Sequence, residues 1–112
     1  MSLRKKYLKK GQVCQVMFVL PKEAVQSANT VHVVGDFNNW DTTATPLKKQ
    51  ESGDFSVTLE LESGKEYQFR YLLDGKIWEN DWKADKYEPS PAGNCENSVA
   101  VVQRGAGPQP NL

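Results

Sequence analysis

The sequence predicts an all-β fold, an immunoglobulin-like β-sandwich of about seven strands. Three observations carry this. Apolar and polar residues alternate with a period of two over most of the chain. Turn-forming Gly, Asp, Asn and Pro interrupt that alternation at spacings of about ten residues. No window sustains a helical period; Glu23 to Ala28 has room for one turn.

In chain order, Cys14, Val16, Phe18 and Leu20 share one face of a first strand, which Pro21 ends. Val31 and Val33 mark the second. Phe55, Val57, Leu59 and Leu61 alternate with Ser56, Thr58 and Glu60, the pattern of a sheet with one wet face. Tyr67, Phe69, Tyr71 and Leu73 alternate with Gln68, Arg70 and Leu72, and Val99 to Val102 form the last strand. Glu51-Ser52-Gly53-Asp54 and Glu62-Ser63-Gly64-Lys65 read as tight turns. Asp74-Gly75 is a type I′ hairpin signal, because both central positions of that turn need positive φ. The Cys–Trp–Cys pattern of true immunoglobulin domains is absent.

The 112 residues suffice for one core. A hydrophobic fraction of 38% and a charged fraction of 25% suit a soluble globular protein. No run approaches the roughly 18 apolar residues of a membrane span, and no apolar stretch follows the basic N-terminus as it would in a signal peptide. The expected compartment is the cytoplasm, with no membrane partner. Fourteen basic residues balance fourteen acidic ones, but Arg4, Lys5, Lys6, Lys9 and Lys10 fall within the first ten positions. The remainder carries nine basic against fourteen acidic residues. A net acidic body argues against nucleic acid as the main partner, since phosphate binding needs a basic face. The expected organisation is a basic, solvated N-terminal tail (1–10), a β-sandwich domain (11–103) and a flexible Gly/Pro-containing C-terminal tail or linker (104–112). Cys14 belongs to the core and Cys95 to a Gly/Asn-rich stretch; a disulfide between them is not expected.

Catalytic chemistry is scarce. His32, the one histidine, lies inside an apolar strand, and no serine has a plausible histidine partner. A phosphate loop, a nucleophile elbow and metal-ligand spacing are missing from the sequence. Glu79, Asp81, Asp85 and Glu88 cluster after the hairpin, but a sandwich this small lacks the deep cleft that would raise one carboxyl's pKa for glycosidic acid catalysis. No catalytic residue, metal or cofactor is expected.

What the sequence does offer is aromatics and amides beside turns. Gly35-Asp36-Phe37-Asn38-Asn39-Trp40 follows directly on Val31-His32-Val33-Val34. Turns favour Gly, Asp and Asn, not Trp, whose large apolar surface is usually buried. Trp78 follows the Asp74-Gly75 turn, and Trp82 comes four residues later. Arg70 alternates with core residues and therefore points away from the core. A pyranose has apolar C–H faces and a rim of hydroxyls. Indole rings cover the former, and planar Arg and Asn groups bond the latter in pairs.

The segments Val33-Val34-Gly35-Asp36-Phe37-Asn38-Asn39-Trp40 and Tyr67-Gln68-Phe69-Arg70-Tyr71-Leu72-Leu73-Asp74-Gly75, with Trp78, resemble carbohydrate-binding module family 48. That family includes the early-set domain before the catalytic barrel of isoamylases and branching enzymes, and the glycogen-binding domain of the AMP-activated protein kinase beta subunit. The resemblance spans about Cys14 to Val102. It implies an early-set sandwich that binds α-1,4-glucan (glycogen, starch, maltooligosaccharides) without catalysis. Trp40 and Trp78 would stack on sugars, Arg70 would bond hydroxyls, and the loop Gly93-Asn94-Cys95-Glu96-Asn97 would complete the site through Asn94 and Asn97. Two residues, Lys76 and Ile77, separate Gly75 from Trp78 where the kinase subunit has one, and Ala92 stands where that subunit has a bulky apolar residue. Two alternative roles remain open: an accessory domain working beside a glycoside hydrolase catalytic domain, and a protein-interaction domain that has lost the sugar.

Overall fold

A computed structural model describes residues 3–25, 27–91, 93 and 95–103. Two antiparallel sheets pack face to face. The first has the order β1-β2-β5-β4, with β1 Leu3–Leu8, β2 Val13–Leu20, β4 Lys48–Lys49 and β5 Phe55–Glu62. The second runs β3-β6-β9-β8, with β3 Val31–Gly35, β6 Lys65–Leu73, β8 Lys86–Pro89 and β9 Glu96–Val102. Strand β7, Ile77–Glu79, pairs with the end of β6 that β9 does not reach. One helical turn, α1 at Lys22–Val25, follows Pro21. The all-β sandwich is as expected, but the described residues form nine strands rather than about seven. The additional ones are short or at sheet edges, where little alternation shows. Among the described residues, no helix is long and apolar enough to cross a membrane.

Residues 1–10 are not a solvated tail where they are described. Leu3–Leu8 zips onto β2 from Leu3↔Phe18 to Leu8↔Val13. The basic run hides an alternation: Leu3 is buried and Lys5 and Tyr7 half-buried, while Arg4 and Lys6 face solvent. Lys5 Nζ lies 2.6 Å from Asp85 Oδ2, and Tyr7 Oη accepts the Gln103 N–H at 3.1 Å. Residues 104–112, the expected C-terminal tail, lie outside the described residues.

Side chains alternate between faces along a strand, and directly paired residues share one face. Cys14, Val16, Phe18 and Leu20 from β2 therefore meet Val31, Val33, Phe69, Tyr71 and Leu73 across the sandwich, all buried. Phe18 and Phe69 meet edge-on at 5.0 Å, and Phe69 and Tyr71 at 5.7 Å, pairs worth about 0.5–1.5 kcal/mol each beyond burial. Cys14 is buried, Cys95 is exposed, and both are free thiols.

The same registers fix the side of the second sheet that faces away from the inter-sheet core. Arg70 pairs with Val34, Gln68 with Val99, Leu72 with Trp78 and Asn97 with Glu88. Arg70, Gln68, Trp78 and Asn97 thus lie on one face. The connection from β7 to β8 is pinned by Asp81, only 1% exposed. Its Oδ2 accepts the Tyr71 hydroxyl and its Oδ1 the Lys83 N–H, both at 2.8 Å, while its own N–H donates to Ser98 Oγ at 2.8 Å. Burial, then the charge of Asp81, push the Tyr71 phenol well above its ordinary pKa of 10.0.

Candidate functional site

The Phe-Asn-Asn-Trp stretch divides its tasks residue by residue. A 3₁₀ turn over Asp36–Asn38 leads out of β3. Phe37 turns inward against Phe18, with ring centroids 5.3 Å apart. Asn38 ties the loop to its stem: its Oδ1 accepts the Gly35 N–H, and its Nδ2 donates to Val33 O and Thr45 Oγ1, all at 3.0 Å. Asn39 takes a left-handed backbone (φ 58°), and so does Trp40 (φ 57°). For a tryptophan that conformation costs roughly 1–2 kcal/mol. It is held by the Trp40 N–H donating to Gly35 O at 2.9 Å and the indole N–H donating to Asp36 Oδ1 at 2.9 Å. Asp36 Oδ2 also accepts the Gln68 N–H at 2.7 Å, so one carboxylate fixes the indole to β6. With its N–H occupied, the ring can meet a ligand only through its face or its outer edge.

Trp40, Asp36, Gln68, Arg70, Asn97, Ser90 and Pro91 line one open concavity of about 370 Å³. Arg70 Nε donates to Asn97 Oδ1 at 2.7 Å, and Asn97 Nδ2 donates to Gln68 Oε1 at 2.9 Å. Asn97 is only 2% exposed. With both ends of its amide engaged, it holds Arg70 and Gln68 in place. The Arg70 guanidinium carbon lies 5.2 Å from the centroid of the Trp78 ring, a cation–π distance. Trp78 itself is 42% exposed. The additional residue after Gly75 leaves Trp78 opposite Leu72, on the same face as Arg70.

Of the expected site residues, Trp40, Arg70 and Asn97 share this concavity, and Trp78 borders it through Arg70. Asn94 lies outside the described residues, as does Ala92. The tether on Asp36 and the places of Gln68, Ser90 and Pro91 were not read from the sequence. Only an acid four positions before a turn tryptophan hinted at the first.

The four carboxylates that cluster in the sequence are each committed to a structural partner. Glu79 Oε2 accepts the Trp82 indole N–H at 2.9 Å, Asp81 holds Tyr71, and Asp85 is bonded to Lys5 and to the Val101 N–H. Glu88 Oε2 lies 3.3 Å from Lys86 Nζ. Asp81, with its buried bonds to Tyr71 and Lys83, has no open side for a ligand. The arrangement at Trp40, Arg70 and Trp78 instead suits a flat, neutral, hydroxyl-rich ligand: two indole surfaces, a guanidinium with donors to spare and an amide network behind it.

Residues 24–106 match the family described as the glycogen recognition site of AMP-activated protein kinase. The chain is 35% identical over 77 residues to Protein PTST homolog 2, chloroplastic, of Arabidopsis thaliana, covering 68% of this chain and 13% of that protein. It is 34% identical over 79 residues to 5'-AMP-activated protein kinase subunit beta-2 of Homo sapiens, covering 68% of this chain and 26% of that protein. A shorter match, 54% identical over 39 residues, joins it to the 1,4-alpha-glucan-branching enzyme of Saccharomyces cerevisiae, covering 34% of this chain and 6% of the enzyme. The chain thus spans well under a third of each of these relatives.

Proposed function

This chain belongs to the family of the glycogen recognition site of AMP-activated protein kinase, and from that premise we propose that it is a non-catalytic α-glucan-binding module whose contact surface is Trp40, Arg70 and Trp78. Asn97 positions Arg70. The observation that carries this reading is the meeting of Trp40, Arg70 and Asn97 around one concavity with the Trp78 ring beside Arg70. Indole faces cover the apolar side of a glucose unit while Arg70 bonds its rim. Water competes for each hydroxyl, so the aromatic anchors supply most of the affinity.

In a native gel cast with glycogen, the chain is retarded, and Trp40→Ala and Trp78→Ala are each retarded far less. Unchanged retardation of both variants overturns the assignment. The chain releases no reducing sugar from glycogen; release would overturn the non-catalytic reading. The branching-enzyme match and the small share of each relative that the chain covers favour a second reading, in which the module directs a catalytic domain to glucan. On that reading, joining this chain to such a domain lowers its KM for glycogen and leaves kcat unchanged.

A further inference from the structure

A second tryptophan surface lies away from the first. Trp82 is 54% exposed, the same as Ile77 and more than Trp78. Its indole N–H donates to Glu79 Oε2 at 2.9 Å, the same tether that Asp36 gives Trp40 at 2.9 Å. Its neighbour Asp81 is buried and bonded to Tyr71, Ser98 and Lys83, and Asp85 anchors the other end of the loop on Lys5 and Val101. The ring therefore stands on a rigid base, so little ordering entropy is lost when a ligand meets it.

Trp82 forms one wall of a concavity of about 330 Å³. Val19 and Pro21 supply apolar lining at the end of β2, and Arg4, Glu23, Asp54 and Lys83 bring charged groups to it. Asp54 is held by the Lys22 N–H at 2.8 Å. Two cationic and two anionic side chains share the cleft, so an ionic ligand of either sign meets as much repulsion as attraction. A neutral polyol meets donors and acceptors of both kinds around an aromatic face.

We infer that this cleft is a second saccharide subsite, taking the same α-glucan chains as the Trp40 face; the inference rests on the glucan-binding reading above. Arg4 and Val19 place it on the first sheet, whereas Arg70 and Trp78 belong to the outer face of the second. Two such surfaces let one module hold two outer chains of a branched glucan, and avidity then exceeds either single contact.

The test is a titration of the uniformly ¹⁵N-labelled chain with maltoheptaose, following the indole N–H signals of its three tryptophans. The variants Trp40→Ala, Trp78→Ala and Trp82→Ala assign the signals by their loss. The inference expects the Trp82 signal to shift to saturation in the unaltered chain and still to shift in the Trp40→Ala/Trp78→Ala chain. Trp82→Ala leaves the shifts at Trp40 intact and lowers retention on glycogen by about tenfold. A Trp82 signal that stays still while those of Trp40 and Trp78 move overturns the second subsite and leaves the first standing. So does a Trp82 shift that disappears in the double variant. If no indole signal moves, both readings fall.

Discussion

Replacing Gly35 by Ala tests how the strand end sets up the site. Gly35 has extended backbone (φ −171°, ψ −168°), which any residue adopts, so a requirement for glycine must come from space. A Cβ built there would meet the Gln68 carbonyl oxygen most closely and lie 2.7 Å from Phe69 Cβ and 3.0 Å from Phe69 Cα. None of these atoms is the far end of a flexible side chain, and Phe69 is itself locked edge-on against Phe18 at 5.0 Å. Strand β3 must therefore move away from β6. Overpacking of this kind costs about 1–3 kcal/mol, and backbone neighbours put it in the upper part of that range, about 2–3 kcal/mol. At roughly 4 °C per kcal/mol, the melting temperature falls by roughly 8–12 °C. The same movement stretches the 2.7 Å bond from the Gln68 N–H to Asp36, so Trp40 loses its fixed position and glycogen retention drops even below the melting range. Gly75 is the contrast. It has φ +68°, and a Cβ there would meet nothing within 4 Å, so Gly75→Ala costs about 1–2 kcal/mol through backbone conformation alone. Gly75→Asn recovers most of that loss, because Asn tolerates left-handed backbone; Gly35→Asn does worse than Gly35→Ala. Thermal melts followed by circular dichroism measure all four variants. A Gly35→Ala melt within about 1 °C of the parent would refute the close-approach reasoning.

Asp81→Leu strands the Tyr71 hydroxyl and the Lys83 N–H and lowers stability in urea titrations by about 1–3 kcal/mol. Asp81→Asn loses less, because the Tyr71 hydroxyl can turn round and accept. Backbone N–H bonds from Thr30 and Asn29 hold the Asp74 carboxyl below its ordinary pKa of 3.8. A lowered folded-state pKa means that the stabilisation is present above 3.8 and is lost as pH falls through the lower value. Asp74→Asn, which keeps the left-handed backbone (φ 53°) and removes the charge, therefore melts earlier than the parent at neutral pH, and the two melts converge in acid below 3.8. Asn97→Ala, read in the glycogen gel beside Arg70→Ala and the double variant, weakens retention non-additively, because Asn97 acts by holding Arg70.

The sheet-forming residues were legible wherever one face is buried and the other wet, as in β2, β5 and β6, because period-two alternation reports directly on burial. Strand β1 was not, since Arg4 and Lys6 alternate with Lys5, whose charge is neutralised by Asp85, a partner some eighty residues away that only the fold brings near. Strands β4 and β7 have two and three residues, too few for a period. At the candidate site, the sequence offers Trp40, Arg70 and Trp78 because each breaks a local expectation: tryptophans beside turns and an arginine between core residues. Asn97 could be named but not its task, since its engagement at both ends depends on the β6–β9 register. Trp82 is legible as an aromatic after a turn, but its cleft is not. Its rigid base and its cleft are made by Asp81, Arg4 and Pro21, which the sequence keeps far apart.

The most direct test of the glucan-binding surface is a maltoheptaose titration followed by tryptophan emission in the parent chain, Trp40→Ala and Trp78→Ala. A saturable emission change in the parent, with affinity reduced about tenfold or more in each variant while the far-ultraviolet circular dichroism stays the same, is the predicted result. A parent chain whose emission does not respond, or variants that bind as the parent does, would contradict it.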